Sequence, residues 1–286
     1  MGPSPWLLRP DSSTAETLES YFNRSNEDVV VSDALLSEIG NYVRGPGNPL
    51  RWLDVGAGSG RKSVLLLSGS HDHPGLLEKY GGVEIDIVEP SMHWRSRYQE
   101  RIFDAGFERP IRPYACTWEE FETPCRYDLI SFIHSVYTMD IPSLGRSAGM
   151  LNPDGAACIV VEDAGNALYQ IKSQMMPLVF GDRYTPARYA PGTVESVLQD
   201  AGMQVTVSDA AQEQRFSVDE LLAGGTEASD SMRAFLLQVD LLDYHHLDPG
   251  IHLALLDAVR AHMHHDIATG EHYLKVPDRI IWATKD

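Results

Sequence analysis

The chain reads as an α/β protein built on a doubly wound, mostly parallel seven-stranded sheet. Three observations carry that reading. Short β-branched runs alternate with helical patterns through roughly the first 160 residues, which implies parallel strands covered by helices on both faces. Leu53-Asp54-Val55 runs straight into Gly56-Ala57-Gly58-Ser59-Gly60, where a strand must turn tightly into a helix. Val83–Val88 ends on Glu89-Pro90-Ser91, which puts an acid at the carboxyl end of a second strand.

Each element has its own warrant. Residues 14–23 and 29–44 are expected as helices, the second with Val31, Leu35, Leu36, Ile39 and Tyr42 at helical spacing. Gly45-Pro46-Gly47-Asn48-Pro49 breaks it before the first strand, 51–56. Helix 61–68, strand 83–88 and helix 91–105 follow. The third strand spans 111–115, and its Pro113 calls for an edge position. The fourth is Tyr127–Ile133. A helix over 141–150 is expected to stop at the turn Asn152-Pro153-Asp154-Gly155. Strand five covers Ala156–Val161, helix 192–202 ends at Gly202, and 204–207 is the sixth strand. Helices over 230–242 and 249–265 precede a last strand, Arg279–Thr284, which would enter the sheet antiparallel. The segment 208–275 reads as a helical insertion or lid.

Composition narrows the function classes. The 286 residues suffice for a full core, and 43% hydrophobic with 22% charged residues is ordinary for a soluble protein. A net charge of −18 argues against nucleic acid or an anionic membrane as partner and favours cationic or neutral ligands. Cys116, Cys125 and Cys158 show no metal-type spacing and suit a reducing compartment. No apolar run approaches 18 residues and Met1–Pro10 lacks a signal-peptide core, so a cytoplasmic location is expected.

The glycine loop carries the chemistry. A dinucleotide fingerprint places its third glycine where Arg61 stands. The G-x-G-x-G spacing, with Asp54 two residues ahead, suits S-adenosylmethionine better than NAD. The alternative is a tight turn with no ligand. Glu89 lies 35 residues beyond Asp54, against about 20 in the dinucleotide motif. The polar stretch Ser68–Gly75 absorbs that surplus, since loops lengthen cheaply. An acid so placed accepts from ribose hydroxyls.

Together these residues resemble the class I S-adenosylmethionine-dependent methyltransferases, whose sheet is Rossmann-like. The resemblance is sharper with the histamine N-methyltransferase-like branch. Its carriers are Tyr21-Phe22-Asn23-Arg24-Ser25-Asn26-Glu27, Val88-Glu89-Pro90-Ser91, Tyr127 through Tyr137, and Asp140-Ile141-Pro142. It implies one methyltransferase domain over 1–286: an N-terminal helical cover (1–48), a core sheet (49–207), the helical insertion (208–275) and the last strand (276–286).

The resemblance also implies roles. Asp54, Gly56, Gly58, Gly60, Glu89, Ser91, Thr117, Trp118 and Ile133 would hold the cofactor, with Asp54 beneath the loop receiving its amine through water and Thr117-Trp118 meeting adenine. Trp118 reads equally as a core aromatic. Glu27 would receive a cationic substrate amine, although Asn26-Glu27-Asp28 is also a good helix start. His134 and Tyr137 would contact substrate and act in catalysis, the imidazole as base with an ordinary pKa of about 6.5.

The chain departs from the histamine enzymes at three places. His134 replaces a glutamine, Trp94 another polar residue, and Leu274–Arg279 lacks the asparagine that helps hold substrate. The expected activity is therefore methyl transfer to nitrogen of another small amine or heterocycle. O- or C-methylation in a natural-product pathway, and a cofactor-binding module without turnover, are the competing readings. His245-His246, His262, His264-His265 and Asp266 offer metal ligands, His262 and Asp266 at i, i+4 on the expected helix; the branch needs no metal and none is expected.

Overall fold

The computed structural model describes residues 21–44, 49–107, 111–183, 192–209 and 211–285. The expected helix over 14–23 and the break at 45–49 lie largely outside them. The described chain divides into two compact units. One holds the described residues of 28–161, 192–211 and 279–285; the other holds those of 21–27, 162–183 and 212–278.

The larger unit contains the sheet. Helix α1 (Glu27–Tyr42) leads to β1 (Leu50–Val55), α2 (Arg61–Ser68), α3 (Leu76–Tyr80), β2 (Val83–Val88), α4 (Met92–Asp104), β3 (Ile111–Tyr114) and β4 (Tyr127–Ile133). Two 3-10 turns and the short α5 (Ser147–Met150) precede β5 (Leu151–Glu162). After α7 (Thr193–Asp200) come β6 (Gln204–Ser208) and, at the end of the chain, β10 (Asp278–Thr284). The strand order is β3-β2-β1-β4-β5-β10-β6. β1, β2, β3, β4 and β5 pair in parallel, whereas β10 runs antiparallel to β6. β3 is the edge strand that Pro113 called for.

Period-two alternation feeds two cores. Trp52, Leu129, Cys158, Val160, Ile280 and Trp282 join residues of α1, α2 and α4 in one. Leu53, Val55, Ile130, Phe132, Ile159 and Ile281 join Trp118, Phe121, Leu144, Val194 and Leu198 in the other. β4 is buried along almost its whole length, with Asp128 and Ser131 as the polar residues within it.

The smaller unit packs α6 (Ala167–Phe180), α8 (Asp219–Ala223), α9 (Glu227–Leu237), α10 (Leu241–His245) and α11 (Pro249–His262) around their own core. It also carries a three-stranded antiparallel sheet, β7 (Arg215–Ser217), β9 (His272–Lys275) and β8 (Met263–His265).

Three expectations need correction. The segment 208–275 is not all helical, because β7, β8 and β9 pair within it. The expected turn at Asn152–Gly155 lies inside β5, which accommodates it through a register shift against β4 between Tyr127 and Leu129. α6 was not anticipated at all. Its start is set by Asn166, whose side chain accepts from the amides of Leu168 at 2.9 Å and Tyr169 at 3.3 Å.

α1 is fixed to the sheet by a polar contact inside an apolar seam. Tyr42 stacks on Trp282 with centroids 4.7 Å apart, and the Trp282 indole donates to Glu38 at 2.9 Å. The Ser208 hydroxyl donates to the same carboxylate. Glu38→Ala strands a buried indole N–H, and the expected cost is about 1–3 kcal/mol, read from the urea midpoint. An unchanged midpoint would show that α1 is held by apolar packing alone.

Candidate functional site

The site is organised by register. β1 and β2 run side by side from Leu50↔Val83 to Val55↔Val88, so Gly56 and Glu89 leave the sheet together. The Gly56 amide donates to the Val88 carbonyl at 2.7 Å. On the other side Asp54 pairs with Ser131 of β4.

That pairing creates a buried polar chain under the loop. The Trp52 indole donates to Ser131 Oγ at 2.8 Å, and the Ser131 hydroxyl donates to Asp54 Oδ1 at 2.8 Å. Ser63, in the first turn of α2, donates to Asp54 Oδ2 at 2.7 Å. Burial pushes the Asp54 carboxyl above its ordinary range, and the two serine hydroxyls oppose the shift. Asp54 lies beneath the loop, and each of its oxygens accepts from a serine hydroxyl. Ser63 and Ser131 gave no signal in the sequence.

The loop glycines serve different ends. Gly56 has φ 67°, and a Cβ there would stand 2.3 Å from Ser135 Cβ. Gly58 has φ 53°, and a Cβ would meet no atom within 4 Å. The first glycine lets β4 approach; the second leaves a cradle that a side chain would fill. Gly60 is required by the ring of Tyr98, 2.8 Å from where its Cβ would stand, so its part is packing.

Glu89 closes the cradle. It is 7% exposed, and its two oxygens accept from the Gly58 amide at 3.1 Å and the Ser91 amide at 2.9 Å. Burial raises its pKa, opposed by those amides and by Arg95. Ser91 caps α4, its hydroxyl accepting from the Trp94 amide at 3.3 Å.

At the end of β4, Ile133 is half-buried and His134 takes φ 52°, unusual for a residue with a side chain. Its amide donates to the Val160 carbonyl at 3.0 Å, which pins the bend to β5. His134 Nδ1 lies 3.3 Å from the Tyr137 hydroxyl, with the rings stacked. Such strain, of order 1–3 kcal/mol, concentrates at functional positions. Ser135 Oγ, beside Gly56, is buried with no hydrogen-bond partner. It was not anticipated.

Trp118 requires a correction. It is 1% exposed, donates to the Ser143 carbonyl at 3.0 Å, and packs against Phe121 and Phe132 under the Arg146 guanidinium. Its ring belongs to the core and has no face left for adenine. The half-buried Thr117 gives its amide to Glu120 at 3.1 Å.

Asp28 joins α1 to the loop helix. It pairs with Arg61 at 2.6 Å and Lys62 at 2.9 Å. Two cations at the start of α2 oppose the helix dipole, and Asp28 offsets part of their charge.

In the smaller unit, Glu27 is buried and accepts from the Tyr21 hydroxyl, while the Ser25 hydroxyl accepts from the Glu27 amide at 3.0 Å. Ser25 therefore does the capping expected of Asn26, which instead accepts from the Arg215 amide at 2.7 Å. Asp278, buried and hydrogen-bonded by Gln214 at 2.8 Å, offers a carboxylate oxygen within 4.8 Å of one from Glu27. It lies in the very segment searched for an asparagine. The burial of both acids takes Glu27 out of the class of solvated first-turn residues.

No family profile matches the chain, and no curated protein matches it. Among solved structures the chain is similar to a geranyl diphosphate methyltransferase with bound SAM, at TM-score 0.53 and 17% identity over 100% of this chain and 97% of that one. It is similar to the geranyl diphosphate C-methyltransferase of Streptomyces coelicolor A3(2), solved with Mg2+, geranyl diphosphate and S-adenosylhomocysteine, at 0.51 and 14% over 100% and 90%. The plantazolicin methyltransferase BpumL, solved with S-adenosylhomocysteine, gives 0.53 and 12% over 98% and 93%. At these identities the likeness is one of fold. The seven-stranded Rossmann-like architecture of these methyltransferases is the fold of this chain. Among the described residues no helix is long and apolar enough to cross a membrane.

The glycines separate structure from binding. Gly56→Ala is expected to destabilise by about 2 kcal/mol or more, through φ strain and collision with Ser135. Gly58→Ala carries only the φ strain, about 1 kcal/mol, yet fills the cradle. Thermal unfolding of both variants checks the order. Equal losses would remove the distinction.

Proposed function

We propose that the chain is an S-adenosylmethionine-dependent methyltransferase acting on nitrogen of a small amine or nitrogen heterocycle. The observation that carries the cofactor half is the buried Glu89 carboxylate, held by two backbone amides at the lip of the Gly58 cradle. A buried acid is costly unless ionic or hydrogen-bonded partners offset it, and ribose hydroxyls are suitable donors. Gly58 brings backbone close to the methionine part. Ile133, and Thr117 through its hydroxyl, border the adenosyl part in this reading; Asp54 and Gly60 support the loop from below. When bound, S-adenosylmethionine supplies an electrophilic methyl on a cationic sulfonium.

The chain's own residues then bind, orient and move a proton. His134, held in its left-handed turn, is the candidate base, and Tyr137 within hydrogen-bonding range fixes its ring. An attacking amine must lose a proton, and the His134 imidazole is the group assigned to take it. Glu27 favours a cationic nitrogen of the substrate by about 1–3 kcal/mol. Asp278, with a carboxylate oxygen within 4.8 Å of Glu27, adds a second negative charge and supports a cationic ligand over a phosphorylated one. Positioning does most of the work, as in any in-line displacement.

The second reading, O- or C-methylation, rests on the same histidine, which could deprotonate a hydroxyl. Incubation with the cofactor and separate panels of amines, heterocycles and phenols, followed by mass spectrometry, distinguishes them. The expected result is a one-methyl mass gain confined to nitrogen compounds. Methylated phenols alone would overturn the nitrogen assignment, and no product from any panel would favour a binding module without turnover. Glu27→Gln is expected to raise the amine KM about tenfold or more with cofactor affinity intact. An unchanged KM would return Glu27 to a structural role.

A further inference from the structure

The histidines near the C-terminus are regrouped by the fold. α11 stops at His262 and the chain turns into β8, so His262 and Asp266 do not share the helical face that their spacing implied. Asp266 is used elsewhere: it accepts from the amides of Ala268 and Thr269 at 2.9 and 3.3 Å and pairs with Arg215 at 3.1 Å. These contacts hold the turn between β8 and β9, and with it the register of the hairpin.

That register sets His265 directly opposite His272. Opposed residues of an antiparallel pair project from the same face. The two imidazoles stack with centroids 4.8 Å apart and planes 23° from parallel. A third residue fixes one of them. Asp219, at the start of α8, lies 2.7 Å from His272 Nδ1 through Oδ1, and Oδ2 accepts from the His272 amide at 3.2 Å. Because a carboxylate only accepts, Nδ1 is the donor, and Nε2 is the ring nitrogen that would bind a metal. An imidazole backed by a carboxylate in this way is a stronger metal ligand.

We propose that His265 and His272 form a site for a borderline divalent transition metal, Zn2+, Ni2+ or Cu2+, at the turn end of the β8–β9 hairpin. Imidazole pairs suit these ions, whereas Mg2+ and Ca2+ require oxygen donors. Asp219 stands behind His272 as its hydrogen-bond acceptor, and water completes the coordination. Metal–nitrogen distances near 2.0–2.1 Å draw the rings together by side-chain rotation, which the exposed His265 makes without moving the backbone. The bound ion cross-links the two strands. This inference is independent of the methyl-transfer reading.

The test is calorimetric titration of the full chain with ZnCl2 in a non-coordinating buffer, joined to electron paramagnetic resonance of the Cu2+ form. The expected result is one equivalent bound, two nitrogens on copper, and a metal-dependent rise in Tm. His265→Ala should abolish that equivalent, and Asp219→Asn should weaken it about tenfold. His246→Ala, on a different element, should bind as the parent does. No binding by the parent chain, or parent-like binding by His265→Ala, would overturn the proposal.

Discussion

The buried Asp54 carboxylate is the constraint on which the rest of the sheet unit depends. Three hydrogen bonds in series, Trp52 to Ser131 to Asp54, with Ser63 closing from the other side, tie β1, β4 and the first turn of α2 into one polar knot. Hydrogen bonds to a charged group are worth about 1.5–3 kcal/mol each, and a buried acid without them would cost more than that. The knot decides where the chain leaves β1. From that exit follow the positive φ of Gly56, its close approach to Ser135, and the aim of the Gly58 amide at Glu89.

The charges around the loop form a graded set. Arg61 occupies the place of a third glycine and, with Lys62, puts positive charge where a phosphate would otherwise bind. Asp28 pairs with both cations and offsets part of that positive charge. The acids that stay buried, Asp54 and Glu89, are both held above the ordinary carboxylate range by desolvation. Glu89, at the lip of the Gly58 cradle, is suited to hydroxyl donors.

Legibility in the sequence followed locality. The β1–loop–α2 passage, Glu89 at the end of β2, the edge position of Pro113 and the antiparallel last strand were all readable, because glycine, proline and period-two patterns act on neighbours. What failed depends on distant partners. The turn chemistry of Asn152–Gly155 was overridden by pairing with β4, and Trp118 was drawn into the core by Phe121, Phe132 and the Ser143 carbonyl. β7, β8 and β9 are three or four residues each, too short for a periodic signal. α6 was legible in principle, with Asn166 before Ala167, Leu168, Ile171 and Met175 on one face; Pro177 near its end masked the pattern. In the site, Asp54, Glu89 and His134 could be found from their positions at strand ends. Ser63, Ser131, Ser135 and Asp278 could not, since nothing local marks a serine as the partner of an acid across the sheet.

The central claim is that Glu89 and the Gly58 cradle form an S-adenosylmethionine site. It is tested most directly by calorimetric titration of the chain and its Glu89→Ala variant with S-adenosylmethionine and S-adenosylhomocysteine. The account predicts binding of both ligands to the parent chain and at least about tenfold weaker binding to the variant, the loss of one or two charge-assisted hydrogen bonds. Equal affinity in the two proteins, or no binding to the parent, would contradict it.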